Sequence, residues 1–223
     1  MQKATTPSKR ALLIIYLTVG VIILAAATTY TLVNLISSKN PYAPSGKLIL
    51  NDPLRDNSHK WQVTPPPHGC QFTNGAYHVL EQNDGILASC HSTLPVSNFT
   101  FEVQMQIIQG NCGGIVFRDA PSGGHAYLFN VCTSGPRAGY YMLANLELPS
   151  STVLTTGTST AIHTGLNQPN VLATVVNGST FDLYINHQKV ARVDDSTNSQ
   201  GQLAVFVNGA GEIVFTNARV WEL

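Results

Sequence analysis

The sequence predicts an all-β fold, a two-sheet antiparallel jelly-roll sandwich, preceded by one transmembrane helix. Three observations carry this expectation. From residue 47 to the end, apolar and polar residues alternate with period two in short runs separated by Gly, Asn, Pro and Ser, as half-buried strands require. No window of twelve residues in that region offers a helical stripe. The most apolar segment, residues 11–36, stands apart near the N-terminus and has the roughly 20-residue length of a bilayer span.

Taken in order, residues 1–10 carry Lys3, Lys9 and Arg10 and no acidic residue, so the positive-inside rule leaves this end in the cytoplasm. Residues 11–36 read as an uncleaved signal-anchor, single-pass and with the C-terminal domain outside the cell. A cleaved signal peptide ending near Ala25-Ala26-Ala27 is the alternative, giving a secreted protein, although the apolar run exceeds the roughly 7–15 residues of a signal h-region. Either reading exports the rest of the chain. Residues 37–46, SSKNPYAPSG, read as a short flexible tether. Residues 47–223 form the extracytoplasmic domain.

Within that domain FTFEVQMQI places Phe101, Val103, Met105 and Ile107 on one face and Thr100, Glu102, Gln104 and Gln106 on the other. STFDLYINHQKVARV reads as a hairpin turning over residues 186–189, and GQLAVFVNGAGEIVFTNARVWEL as a second one turning at Asn208-Gly209. The stretch GNCGGIVFRDAPSGGHAYLFNVCTSG holds two cysteines equidistant from Ser122. Folded there, it sets Phe117 opposite Tyr127, Ile115 opposite Phe129 and Cys112 opposite Cys132. Directly opposed residues meet the Cα spacing of a disulfide, and an exported domain lets one persist. Cys70 and Cys90 remain for a second bridge, with buried free thiols as the alternative.

Charge excludes one class of partner. The 223 residues carry 12 Lys+Arg against 12 Asp+Glu, without the basic stripe of a nucleic-acid binder. The chain has no nucleotide-binding loop, serine elbow or metalloprotease motif. If the 100–108 strand neighbours the cysteine hairpin, Glu102, Gln104, Gln106, Arg118 and Asn130 share one polar sheet surface, with His78 able to join them. Arg118 would there hold a sugar hydroxyl or carboxylate, or pair with Glu102 across the sheet. Tyr140 or Tyr141 could stack on a sugar ring, one of the two facing inward. Trp61 and Trp221 are expected in the core.

The pieces NDPLRDNSHKW, NGAYHV (74–79), NFTFEVQM (98–105), GGIVFR (113–118), AYLFNVCTSGPRAGYYML (126–143), FDLYINHQKVARVDDST (181–197), GQLAVFV (201–207) and FTNARVW (215–221) follow one another in an order that resembles the concanavalin A-like lectin/glucanase superfamily, its laminin-G-like and keto-disaccharide-hydrolase-like domains in particular. The resemblance implies a concave sheet with a groove for sugar, and recognition of a carbohydrate or cell-envelope glycan. Its enzymatic members place a Glu-x-Asp-x-x-Glu run on one strand; here FEVQMQ has glutamines after Glu102, and amides supply neither nucleophile nor acid. A glycoside hydrolase is therefore not expected. A structural or protein-interaction ectodomain is the rival reading. Many members hold a structural calcium ion, for which Asp194 and Asp195 in the loop 194–198, and Asp52, are the oxygen ligands to consider. Asn98 and Asn177 stand in glycosylation sequons.

Overall fold

The computed structural model describes residues 9–37, 39–43, 45–65, 69–120 and 123–223. The turn centre expected at Ser122, and Lys3, lie outside them. Two units are described separately, one spanning residues 1–39 and the other 40–223.

The first unit contributes helix α1 (Lys9–Ser37, 29 residues). The side chains of Leu13, Ile15, Leu17, Ile22 and Leu24 are exposed on it. No helix among the described residues is long and apolar enough to cross a membrane.

The second unit is a sandwich of two antiparallel sheets. One sheet runs β12 (Gln188–Asp194), β11 (Thr180–Ile185), β10 (Pro169–Asn177), β5 (Phe99–Gln109), β14 (Gly211–Glu222), β3 (Ala76–Glu81), β2 (Gly69–Thr73), with β1 (Lys47–Asp52) also paired to β14. The other runs β4 (Leu87–Val96), β13 (Gly201–Asn208), β6 (Cys112–Asp119), β7 (His125–Cys132), β8 (Tyr140–Glu147), β9 (Ser150–Thr158). The inward residues of the period-two runs meet between the sheets: Phe101, Val103 and Met105 from β5 with Ile115, Phe117, Tyr127 and Phe129 from β6 and β7. Trp61 joins this core, and Trp221 is fully buried as well.

The cysteine hairpin has the register read from the sequence, with Cys112 opposite Cys132, Ile115 opposite Phe129 and Phe117 opposite Tyr127. Both disulfides, Cys112–Cys132 and Cys70–Cys90, are formed. The hairpin over residues 180–194 is also present.

Two expectations are corrected. β5 does not neighbour the cysteine hairpin: it lies between β10 and β14 in the eight-stranded sheet, while β6 and β7 belong to the six-stranded one. Nor does Asn208-Gly209 make a hairpin, because β13 and β14 lie in different sheets. Both errors have one cause. The connections at Gly110 and Gly209 carry the chain across the sandwich rather than back along the same sheet. Gly110 has φ +94°, and a Cβ there would meet the Ala210 carbonyl at 2.7 Å, so the two crossings pack backbone against backbone. A local turn signal reports that the chain reverses, not which sheet receives it.

Candidate functional site

Separating β5 from β6 divides the expected polar surface. On the outer face of the eight-stranded sheet Glu102 is buried, and Arg219, its neighbour on β14, donates to Glu102 Oε1. The Tyr42 hydroxyl donates to Glu102 Oε2 at 2.5 Å and lies 2.8 Å from His187 Nδ1. Its ring packs on Tyr184, centroids 4.8 Å apart. Burial, reinforced by Glu102, drives the Tyr42 hydroxyl well above its ordinary titration range. Asn40 Nδ2 donates to Thr100 Oγ1 at 2.7 Å, and Asn40 Oδ1 accepts from Tyr42 N at 3.0 Å. The tether expected over 37–46 is thus docked at residues 40–43 as a strap across β5. Gln106 Nε2 donates to the Asn167 carbonyl, while Gln104 stays half-buried beside it. His78 sits farther along this sheet, its Nδ1 2.6 Å from Glu212 Oε1.

Arg118 joins neither face. It is 2% exposed, its φ is +51°, and the six-stranded sheet slips register between Gln202 and Ala204 opposite it. That bulge breaks the alternation and turns Arg118 to the end of the sandwich. There Nε and Nη2 donate to Ser97 O, Nη2 also to Gly178 O, and Nη1 to Asn198 O at 2.7 Å. The guanidinium stands over the Phe181 ring at 5.4 Å. Among the described residues it pairs with no carboxylate, and Glu102 is paired with Arg219 instead.

Of the remaining expected residues, Asn130 is buried on the outer face of the six-stranded sheet, its Nδ2 3.6 Å from Cys132 Sγ and its Oδ1 without a partner among the described residues. Tyr141 is the inward member of its pair, donating to Val190 O, and Tyr140 lies under the Arg137 guanidinium at 5.9 Å. The three aspartates form no calcium cage. Asp52 accepts from Leu54 N, Trp61 Nε1 and His59; Asp194 accepts from Thr180 Oγ1; Asp195 accepts from the Tyr127 hydroxyl and Thr197 N. Among the described residues no cluster of three His, Cys, Asp or Glu is placed to hold a metal.

The open surface lies on the six-stranded sheet, and its register explains it. His91, Ala204, Val116, Leu128 and Ala144 stand opposite one another in a row across β4, β13, β6, β7 and β8. Val116, Leu128, Ala204 and Phe206, with Ala126 and Leu146 beside them, form a second apolar cluster on the face away from the core. Over this cluster lies a groove of about 490 Å³, walled by His91, Asp119, His125, Leu148 and Gln202. His91 Nε2 is 2.9 Å from Asp119 Oδ2. Burial raises the Asp119 carboxyl above its ordinary value, with His91 pulling the other way. The site therefore joins an apolar floor to a partly desolvated carboxylate–imidazole pair and an amide.

The sequence carried a signal for this floor. Ile115-Val116-Phe117 and Tyr127-Leu128-Phe129 are apolar on both strand faces, which a sheet solvated on one side does not require.

No protein-family model and no curated protein sequence matches the chain. Solved structures do share its fold. The chain is similar to the carbohydrate binding module CBM66 from Bacillus subtilis, at 22% identity and TM-score 0.62 over 73% of this chain and 95% of that one. A protein of unknown function with a galectin-like fold from Bacillus subtilis matches at 13% identity and TM-score 0.64, covering 79% and 96%. A Bacillus licheniformis β-glucanase matches at 12% identity and TM-score 0.57, covering 80% and 99%. At these identities the likeness establishes the sandwich fold and leaves the ligand to the site.

Proposed function

We propose that this chain is a membrane-anchored, extracytoplasmic recognition module that binds a carbohydrate noncovalently in the groove of its six-stranded sheet. The observation that carries the reading is the pairing of apolar floor and polar wall. A pyranose offers an apolar C–H face and a rim of hydroxyls; Val116, Leu128 and Leu146 suit the first, and Asp119, His91, His125 and Gln202 supply donors and acceptors for the second. The fold shared with a carbohydrate binding module supports the choice of ligand class by analogy.

Export is supported by the two disulfides, which persist in oxidising compartments. Anchoring is supported by the uncharged run 11–27 following Lys9 and Arg10. A noncatalytic role is supported by the carboxylates. Glu102 is held by Arg219 and Tyr42, and Asp119 is the one carboxylate lining the groove among the described residues, where hydrolysis of a glycosidic bond calls for two.

The test is a glycan-array screen of the full-length chain in detergent, followed by calorimetry. Binding to one sugar class is expected. Asp119→Asn should weaken it at least about tenfold, the scale of one lost charge-assisted hydrogen bond. A blank array for folded, oxidised protein would sink the reading in favour of a protein-interaction ectodomain.

A further inference from the structure

Arg118 is a cation held 2% exposed in a sandwich end, and no described carboxylate lies within ion-pair distance of it. Its four hydrogen bonds go to loop carbonyls and leave one Nη1 N–H without a partner among the described residues. Burial draws the guanidinium below its ordinary value, the mark of a charge that solvent does not compensate. Asp119, adjacent in sequence, faces His91, and Asp195 in the loop that carries Asn198 is turned to the Tyr127 hydroxyl and Thr197 N.

Arg118 borders a cavity of about 330 Å³ whose wall is built from hydroxyls and amides, among them Ser97, Ser179, Ser196, Asn198 and Ser199. Among the described residues no Asp or Glu lines it. Asn198 lines it, and its Nδ2 is buried with no acceptor among the described residues, a second donor beside the carbonyl that Nη1 already touches. A buried cation, an orphaned donor and a wall of hydroxyls without an acid make a site for an oxyanion.

The cavity and the groove border a common third space, which Glu222 also lines. This space of about 430 Å³ shares Ser97, Asn98 and Gln200 with the Arg118 cavity, and Ala120 and Gln202 with the groove. We propose that the Arg118 cavity is an anion subsite that takes the carboxylate or sulfate group of an acidic glycan whose neutral part lies along the groove. The glycan half of this rests on the function proposed above; the anion half stands on the cavity alone.

The experiment titrates the full-length chain in detergent with sodium sulfate, with glucuronate, and with a neutral oligosaccharide and its glucuronate-bearing counterpart. Readouts are thermal unfolding and calorimetry. Both small anions should raise the melting temperature and saturate at low millimolar concentration, which separates a site from the general salting effect of sulfate. The acidic oligosaccharide should bind at least about tenfold tighter than the neutral one. Because Arg118 also fastens three loops, the variant is Asn198→Asp, which sets a carboxylate beside the guanidinium. It should melt no lower than wild type and lose the response to both anions. Absence of any anion response, or an unchanged response in Asn198→Asp, overturns the proposal. Sulfate binding with no preference for the acidic oligosaccharide overturns the glycan half. Anion binding with no affinity for either oligosaccharide overturns the groove reading while upholding the anion site.

Discussion

Arg118→Met should destabilise the sandwich by about 3 kcal/mol, and the structure says why. The guanidinium donates to Ser97 O in the β4–β5 turn, Gly178 O in the β10–β11 turn and Asn198 O in the β12–β13 loop. Methionine keeps much of the side-chain volume over Phe181 but leaves three carbonyls without their donor. Orphaning one costs roughly 1–3 kcal/mol when fully buried. Ser97 and Gly178 belong to exposed turns that water can reach, so the lower end applies to each, and three such losses come to about 3 kcal/mol. For a domain of this size the change lowers the melting temperature by roughly 6–12 °C. Urea unfolding followed by fluorescence of the buried Trp61 and Trp221 measures it directly. Arg118→Lys should recover less than half, because one ammonium cannot span three turns. A loss below about 1 kcal/mol would refute the clamp and return Arg118 to the solvent-facing role that strand alternation implies.

Other consequences follow from the same contacts. Tyr42→Ala removes both the bond to Glu102 and the ring contact with Tyr184, so limited proteolysis within residues 37–46 should accelerate at least about tenfold; unchanged cleavage would show that the strap is not held this way. Replacing Cys112 and Cys132 together by alanine opens a loop with a sequence separation of 20 and should cost about 3 kcal/mol in denaturant titrations, whereas Cys112→Ser alone should leave the buried Cys132 as a free thiol that labels once the protein is unfolded without reductant. The Tyr127 hydroxyl is pushed from 10.0 up to about 12, first by burial and then by its bond to Asp195. A value raised on folding gives stability that is complete below pH 10 and is lost as pH rises through about 12. Tyr127→Phe should therefore flatten the alkaline limb of the stability profile; an unaltered limb would contradict the assignment.

What the sequence disclosed and what it withheld divide along one line. Alternation fixes which residues of a strand share a face, so Phe101, Val103 and Met105 were legible as core, and Cys112 opposite Cys132 followed from a turn and a count. Alternation does not say which strands are neighbours. β5 and β6 adjoin in sequence yet lie in different sheets, and the polar surface assembled from Glu102, Gln104, Arg118 and Asn130 fell apart on that point. Arg118 was misplaced for a more local reason, since a single residue at positive φ within a bulge reverses the face its side chain takes. The strap was illegible because Pro- and Ser-rich composition reports the absence of regular structure, while the docking of Tyr42 depends on a carboxylate 60 residues away. The groove was half legible: Val116 and Leu128 stand out as apolar residues on a face that should be wet, but His91, His125 and Gln202 gather there only through the register of four strands.

The central claim is that ligand is taken by the outer face of the six-stranded sheet and not by the strapped face opposite. Hydrogen–deuterium exchange of the full-length chain, with and without a saturating glycan from the array, tests it without a mutation. Slowed exchange at residues 87–91, 116–128 and 200–204, with residues 100–106 and 171–176 unchanged, is the predicted result. Protection at residues 100–106 and 171–184, with the groove unchanged, would contradict it.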